Sequence, residues 1–142
     1  TSLKSEKYIT GVFADFDDAT GHVKIFDAGH SFIFLVRKKK IIHLNGVSEN
    51  LPIGVSSGYN PVSYRVKLKK NDILVIYTDG IEEQRSDAGA VYGPDRFRDF
   101  FIRLDDENLK IIKDSIFHDI RKFSNGRTQD DDMTLFMLRY LA

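Results

Sequence analysis

Asp79 follows a run of apolar residues, Ile73 to Tyr77, and Thr78; Gly80 comes next, then Glu82 and Glu83. Asp130, Asp131 and Asp132 stand directly before a second apolar run that starts at Met133. Carboxylate oxygens gathered at strand ends suit a hard divalent cation such as Mg²⁺ or Mn²⁺. The two acidic sites converge if the apolar runs are neighbouring antiparallel strands. Gly80 favours such a use, because it has no Cβ to hold backbone or water away. Three adjacent like charges repel unless a cation or donors sit close by. Thr78 and Thr134 stand beside the acids, placed to hydrogen-bond the carboxylates and fix their rotamers. The same residues have a plainer use. Asp-Gly is a common turn after a strand, and three aspartates in a row suit a solvated loop. Composition and spacing leave both readings open.

Other chemistries find less support. The chain has no cysteine, which removes disulfides, thiolate metal sites and thiol nucleophiles. His22, His30, His43 and His118 show no paired metal spacing. His22 and His43 read as strand residues, His30 as a turn residue and His118 as a helix residue, each structural. Ser56, Ser57 and Ser63 lack the elbow motif of a serine nucleophile, and no glycine-rich phosphate loop occurs.

The elements that must position the acids are legible in outline. Strands are expected within "YITGVFADFD", "HVKIFDA", "SFIFLVR" and "KIIHL". Their short connections predict an antiparallel meander. The basic run Arg37 to Lys40 reads as a solvated hairpin tip. Asn45 to Pro61 carries repeated Gly and Pro breakers and reads as loop. "VSYRVKL" alternates cleanly, and "ILVIYT" is continuously apolar, as expected of a strand buried on both faces. Gly93-Pro94-Asp95 is a helix start, followed by an apolar stripe of Phe97, Phe100, Phe101 and Leu104. Asp105 or Asp106 can cap a second helix, with Leu109, Ile112, Ile116, Ile120 and Phe123 on one face and Asn125-Gly126 as its stop. "MTLFMLRYL" is the last strand.

At 142 residues the chain has the length of one domain, and its 42% hydrophobic and 30% charged content is that of a soluble globular domain. A formal net charge of +0 argues against an electrostatic grip on nucleic acid or anionic lipid. No apolar run approaches the roughly 20 residues of a membrane-spanning helix, so no direct membrane contact is expected of this segment. There is no internal repeat or low-complexity tract.

Four stretches, in order, carry a resemblance: "FDAGHSFIFLVR", "LPIGV", "DILVIYTDGIEEQRSDAGAVYGPDRF" and "DDMTLFMLR". Together they resemble the SpoIIE/RsbU-like branch of the PPM-type, metal-dependent serine/threonine phosphatases, over about Tyr8 to Tyr140. The resemblance implies an α+β fold, an antiparallel β-sandwich flanked by helices, with a two-metal Mn²⁺ or Mg²⁺ centre at one sheet edge. Asp79 matches the family's metal-binding aspartate in its Asp-Gly motif, and Asp131 the second such ligand. Gly80 and Asp132 are neighbours of these ligands, and Asp130 is a family-variable position. In such enzymes water activated between two metals attacks phosphorus in line with the leaving seryl or threonyl oxygen.

The resemblance has one gap. Family members carry an upstream D-x-S-G-H-G stretch whose aspartate bridges both metals, and this sequence has none. "DAGH" at Asp27 to His30 matches the family's later turn, so no bridging role is carried to Asp27. The chain, which starts at Thr1, is therefore expected to be the carboxy-terminal part of the domain. It would lack the amino-terminal strands, the regulatory helices and the bridging aspartate, and be nearly inactive alone. The implied substrate is a phosphorylated bacterial regulator of the anti-sigma-factor-antagonist type. The implied location is cytoplasmic, as the output domain of a larger sensor, and a homodimer is expected through a sheet face left uncovered. The alternative is a catalytically degenerate module that binds a phosphoprotein or partner without chemistry.

Overall fold

A computed structural model describes residues 7–44, 50–56, 60–103 and 108–142. Seven strands and three helices follow one another: β1 Gly11–Asp17, β2 His22–Ala28, β3 Ile33–Arg37, β4 Lys40–His43, β5 Tyr64–Lys67, β6 Ile73–Tyr77, α1 Gly80–Glu83, α2 Pro94–Arg103, α3 Leu109–Ser124 and β7 Leu135–Arg139. The strands form two sheets, ordered β1-β2-β5 and β4-β3-β6-β7, with every pairing antiparallel.

Alternation along the strands builds two cores back to back. Leu35 of β3 and Leu74 of β6 face the three-stranded sheet and bury against Val23, Ile25 and Leu68. Their neighbours Phe34, Val36, Ile73, Val75 and Tyr77 point the other way and bury against Phe97 and Phe101 of α2 and Ile112, Ile116 and Ile120 of α3. The layers are therefore sheet, sheet and helices. The apolar run of β6 is continuous because both of its faces are inside. Phe97 is fully buried, with its ring 4.7 Å from that of Tyr77 and 6.0 Å from that of Phe34. The aromatic stripe of α2 is core, as its spacing predicts.

The expected meander is interrupted once. β1–β2 and β3–β4 are hairpins, but β2 and β3 lie in different sheets. The turn between them explains the crossing. The buried Asp27 carboxylate accepts hydrogen bonds from the backbone of His30 (2.7 Å) and Ser31 (3.1 Å), while Gly29 and Ser31 adopt positive φ. The chain is thereby turned from one layer into the other, where β3 finds β6.

The basic run is the β3–β4 hairpin tip, with Lys38 and Lys39 both at positive φ, as a tight two-residue turn requires. Arg37 leaves the tip to make a bidentate pair with the buried Asp72, at 3.0 Å from Nε and 2.6 Å from Nη2.

α2 starts at Pro94 and α3 ends at Asn125 in the left-handed conformation, both as predicted. The cap of α3 is a correction: Asn108, not Asp105 or Asp106, accepts the Lys110 amide at 2.8 Å. Leu104, Asp105 and Asp106 lie outside the described residues. Of the segment read as loop, residues 50–56 and 60–61 are described, and they hold no helix or strand beyond the single Ile9–Ile53 bridge. The short helix α1 was not foreseen; it grows out of the Asp79-Gly80 turn.

Candidate metal centre

β6 and β7 run antiparallel in register, with Tyr77 opposite Leu135. The residues after Tyr77 and those before Leu135 therefore lie at the same edge of the sheet. The ladder is carried one step further by Thr78, whose amide donates to the Thr134 carbonyl at 3.1 Å. The Thr78 hydroxyl accepts from the Thr134 amide at 2.8 Å and donates to the Asp132 carbonyl at 3.0 Å. This corrects the sequence reading, which sent the threonines to the carboxylates. Backbone groups left over where two strands part need partners, and the hydroxyl of Thr78 meets that need.

Asp79 caps α1, its Oδ1 accepting the Gly80 amide at 3.0 Å. Gly80 is where the acidic loop comes closest. A Cβ there would lie 2.5 Å from the Asp132 carbonyl oxygen and 3.3 Å from that of Asp131. The backbone is helical, so the requirement for glycine is one of space alone.

The three aspartates of the loop differ in their partners. Asp130 is neutralised: Arg127 holds it through Nη2 at 2.7 Å and Nε at 3.1 Å, and the Arg85 amide donates to it at 3.2 Å. Arg127, the largest influence, keeps the Asp130 carboxyl below its ordinary value. Among the described residues the Asp131 carboxylate accepts only the Asp132 amide, at 2.7 Å, while its carbonyl accepts from Gln129 Nε2 at 2.7 Å. Among the described residues no lysine, arginine or histidine forms an ion pair with Asp79, Asp131 or Asp132.

The donor set fits a hard divalent cation in kind, since it offers carboxylate oxygens that no cationic side chain neutralises. In number it falls short. Among the described residues no group of three or more His, Asp or Glu side chains is arranged to hold a metal. Asp79 and Asp131 would supply two of about six oxygens for Mg²⁺ or Mn²⁺.

Asp27 and His30 belong to the scaffold. Asp27 is spent on its turn. His30 Nε2 donates to the Tyr77 carbonyl at 2.8 Å and ties that turn to the end of β6. The remaining histidines sit where the sequence puts them, on β2, β4 and α3.

The sequence reading missed Gln84. It is 1% exposed, and its amide is used on both sides: Nε2 donates to the carbonyls of Arg85 (2.9 Å) and Thr128 (3.3 Å), and Oε1 accepts the Asp130 amide at 3.2 Å. It fastens the acidic loop to the segment that carries Asp79. Nothing in the sequence distinguishes it from an exposed glutamine. A second support was equally hidden. The Tyr77 hydroxyl donates to Glu82, which Arg98 also contacts at 3.4 Å, joining β6, α1 and α2. Burial first, and then the Glu82 carboxylate, push the Tyr77 hydroxyl well above its ordinary value, so it remains a donor.

A cavity of about 600 Å³ opens beside the acids, lined by Gly80, Glu83, Arg85, Val91, Arg127 and Asp131 among others.

Comparison with known proteins gives the arrangement a family. The matching family model, Stage II sporulation protein E (SpoIIE), covers residues 1–141. The phosphoserine phosphatase RsbU of Bacillus subtilis (strain 168) is 23% identical over 138 residues, which make up 97% of this chain and 41% of RsbU. Protein IcfG of Synechocystis sp. is 25% identical over 131 residues, 90% of this chain and 20% of IcfG. The chain thus spans less than half the length of these relatives. Among solved structures, the PP2C phosphatase domain of the cell fate determinant SpoIIE from Bacillus subtilis, with a fragment of its regulatory domain, superposes with a TM-score of 0.77 at 21% identity. That match covers 97% of this chain and 40% of the other. Two antiparallel sheets backed by helices and a family match over residues 1–141 lead to one assignment: the chain belongs to the SpoIIE family.

Proposed function

We propose that this chain is the carboxy-terminal part of a metal-dependent phosphatase domain that hydrolyses phosphoserine or phosphothreonine in a bacterial regulatory protein of the anti-sigma-factor-antagonist type. The observation that supports the reading is the close approach of the acidic loop's backbone to Gly80, next to Asp79, where β6 and β7 pair, in a chain of this family. Asp79 and Asp131 hold Mn²⁺ or Mg²⁺; Gly80 and Asp132 bring the loop to the helix end, and Asp132 itself is no assigned ligand. A cation held there would supply Lewis-acid chemistry, making water more acidic and offsetting phosphate charge. The chain's own residues do the positioning: α1 aims Asp79, while Thr78 and Gln84 hold the loop that carries Asp131.

Two carboxylates fall short of a two-metal centre, so residues 1–142 alone are nearly inactive. The domain is the cytoplasmic output of a larger sensor. Exposed Tyr8, Ile9, Phe13 and Ile53 support pairing of two copies, and sedimentation at high concentration that finds only monomer refutes that part. The experiment for the activity is phosphopeptide hydrolysis by the full-length protein with Mn²⁺, beside Asp79→Asn and Asp131→Asn. A loss of at least about a hundredfold in both variants is expected, the scale seen when groups that fix charge in the transition state are removed. Full activity in either variant excludes that residue, and no activity in the parent favours a degenerate module that only binds its partner.

A further inference from the structure

The cavity beside the acids is lined by Gly80 and by Asp131, one of the two candidate metal ligands. Arg85 and Val91, joined as an isolated antiparallel bridge, form part of the rest of the wall. Its volume of about 600 Å³ lies in the range of clefts that enclose whole ligands, more than a phosphoryl group needs.

The charges on this wall are unequal in their commitments. Arg127 is spent on Asp130 through both Nε and Nη2. Arg85 is exposed; among the described residues its guanidinium donates one hydrogen bond, from Nη1 to the Gly89 carbonyl at 3.3 Å, and its charge adds weakly to the field that Arg127 sets at Asp130. Most of its donors stay open, in the fork that suits carboxylate oxygens. Glu83 lines the same cavity and makes no ion pair with Arg85.

Arg85 is also held in place. Its amide donates to Asp130 and its carbonyl accepts from Gln84. The turn beyond it is closed by Ser86, whose amide donates to the Ala90 carbonyl at 2.8 Å and whose Oγ accepts the Ala90 amide at 3.1 Å. Asn125 at the end of α3 donates to Asp87 at 2.6 Å. A cationic side chain on a braced loop thus lines the same cavity as Asp131 and an exposed valine.

Building on the phosphatase reading above, we propose that Arg85 is a specificity residue that binds an acidic side chain flanking the phosphorylated residue of the substrate protein. Val91 offers its apolar surface to the same segment.

The test uses the full-length protein with Mn²⁺ and three phosphoserine peptides identical except for flanking Glu, Gln or Lys. The wild type is expected to show kcat/KM for the Glu peptide about tenfold above that for the Gln peptide, as one charge-assisted contact provides. Arg85→Ala removes that ratio, and Arg85→Glu reverses it in favour of the Lys peptide. A ratio cancels any general damage to the enzyme, and a merely structural arginine would not give the reversal. Equal rates on all three peptides in the wild type, or the same ratio in wild type and variants, overturn the proposal. A wild type that hydrolyses none of them instead overturns the phosphatase reading, and this assignment falls with it.

Discussion

At the scale of single residues, the acids separate by their partners. Asp130 has its arginine and is structural, while among the described residues the carboxylates of Asp79 and Asp131 accept only the amide of the residue that follows each. Gly80 lets the backbone of the acidic loop come close. Gly80→Ala places a methyl 2.5 Å from the Asp132 carbonyl oxygen, and backbone cannot yield as a side-chain end does. The loop must move, and a loss of about 1–3 kcal/mol in stability is expected from such overpacking, together with weaker Mn²⁺ binding. Urea unfolding with and without Mn²⁺ checks both parts, and an unchanged midpoint would show that the loop accommodates the methyl freely. The approach of the acidic loop to the Asp79-Gly80 turn was legible in the sequence, because both lie at ends of apolar runs that pair as antiparallel strands. Gln84 was not, since its role lies in backbone partners 44 and 46 residues away. The Thr78 hydroxyl was assigned the wrong partners for the same reason.

At the scale of elements, strands and helices were readable from alternation and from the stripe spacing. Turn residues mark that a chain turns, but not which sheet it enters next. The β2–β3 passage shows this: the Asp27-to-Ser31 turn carries β3 into a second sheet, and only its pairing with β6 reveals it. Helix docking has its own electrostatics. Arg96 on α2 holds Asp119 on α3 through Nε at 2.7 Å and Nη2 at 2.9 Å, and stacks over Tyr92 and Phe123. Arg96, ahead of the opposing effect of burial, keeps the Asp119 carboxyl below its ordinary value. A lowered folded-state value means that this pair stabilises above the unfolded carboxylate's value, about pH 4, and that the contribution is lost as pH falls through the lowered one. Asp119→Asn is therefore expected to lower stability at pH 7 and to flatten part of the acid decline below about pH 4. Thermal melts from pH 2 to pH 7 read this, and parallel curves for the two proteins would show that Asp119 has no part in the acid decline.

At the scale of the molecule, three layers are stacked so that the four-stranded sheet is buried on both faces, and its edge presents the ends of β6 and β7 together. Thr78, Gln84 and the Tyr77–Glu82–Arg98 contacts fix that edge from three elements. The most direct test is calorimetric titration of Mn²⁺ into this chain, beside Asp79→Asn and Asp131→Asn. Weak binding by the parent chain, abolished by either substitution, is the predicted result, because both carboxylates serve one ion. Binding that survives either substitution would contradict it, since the two acids would then not share a site.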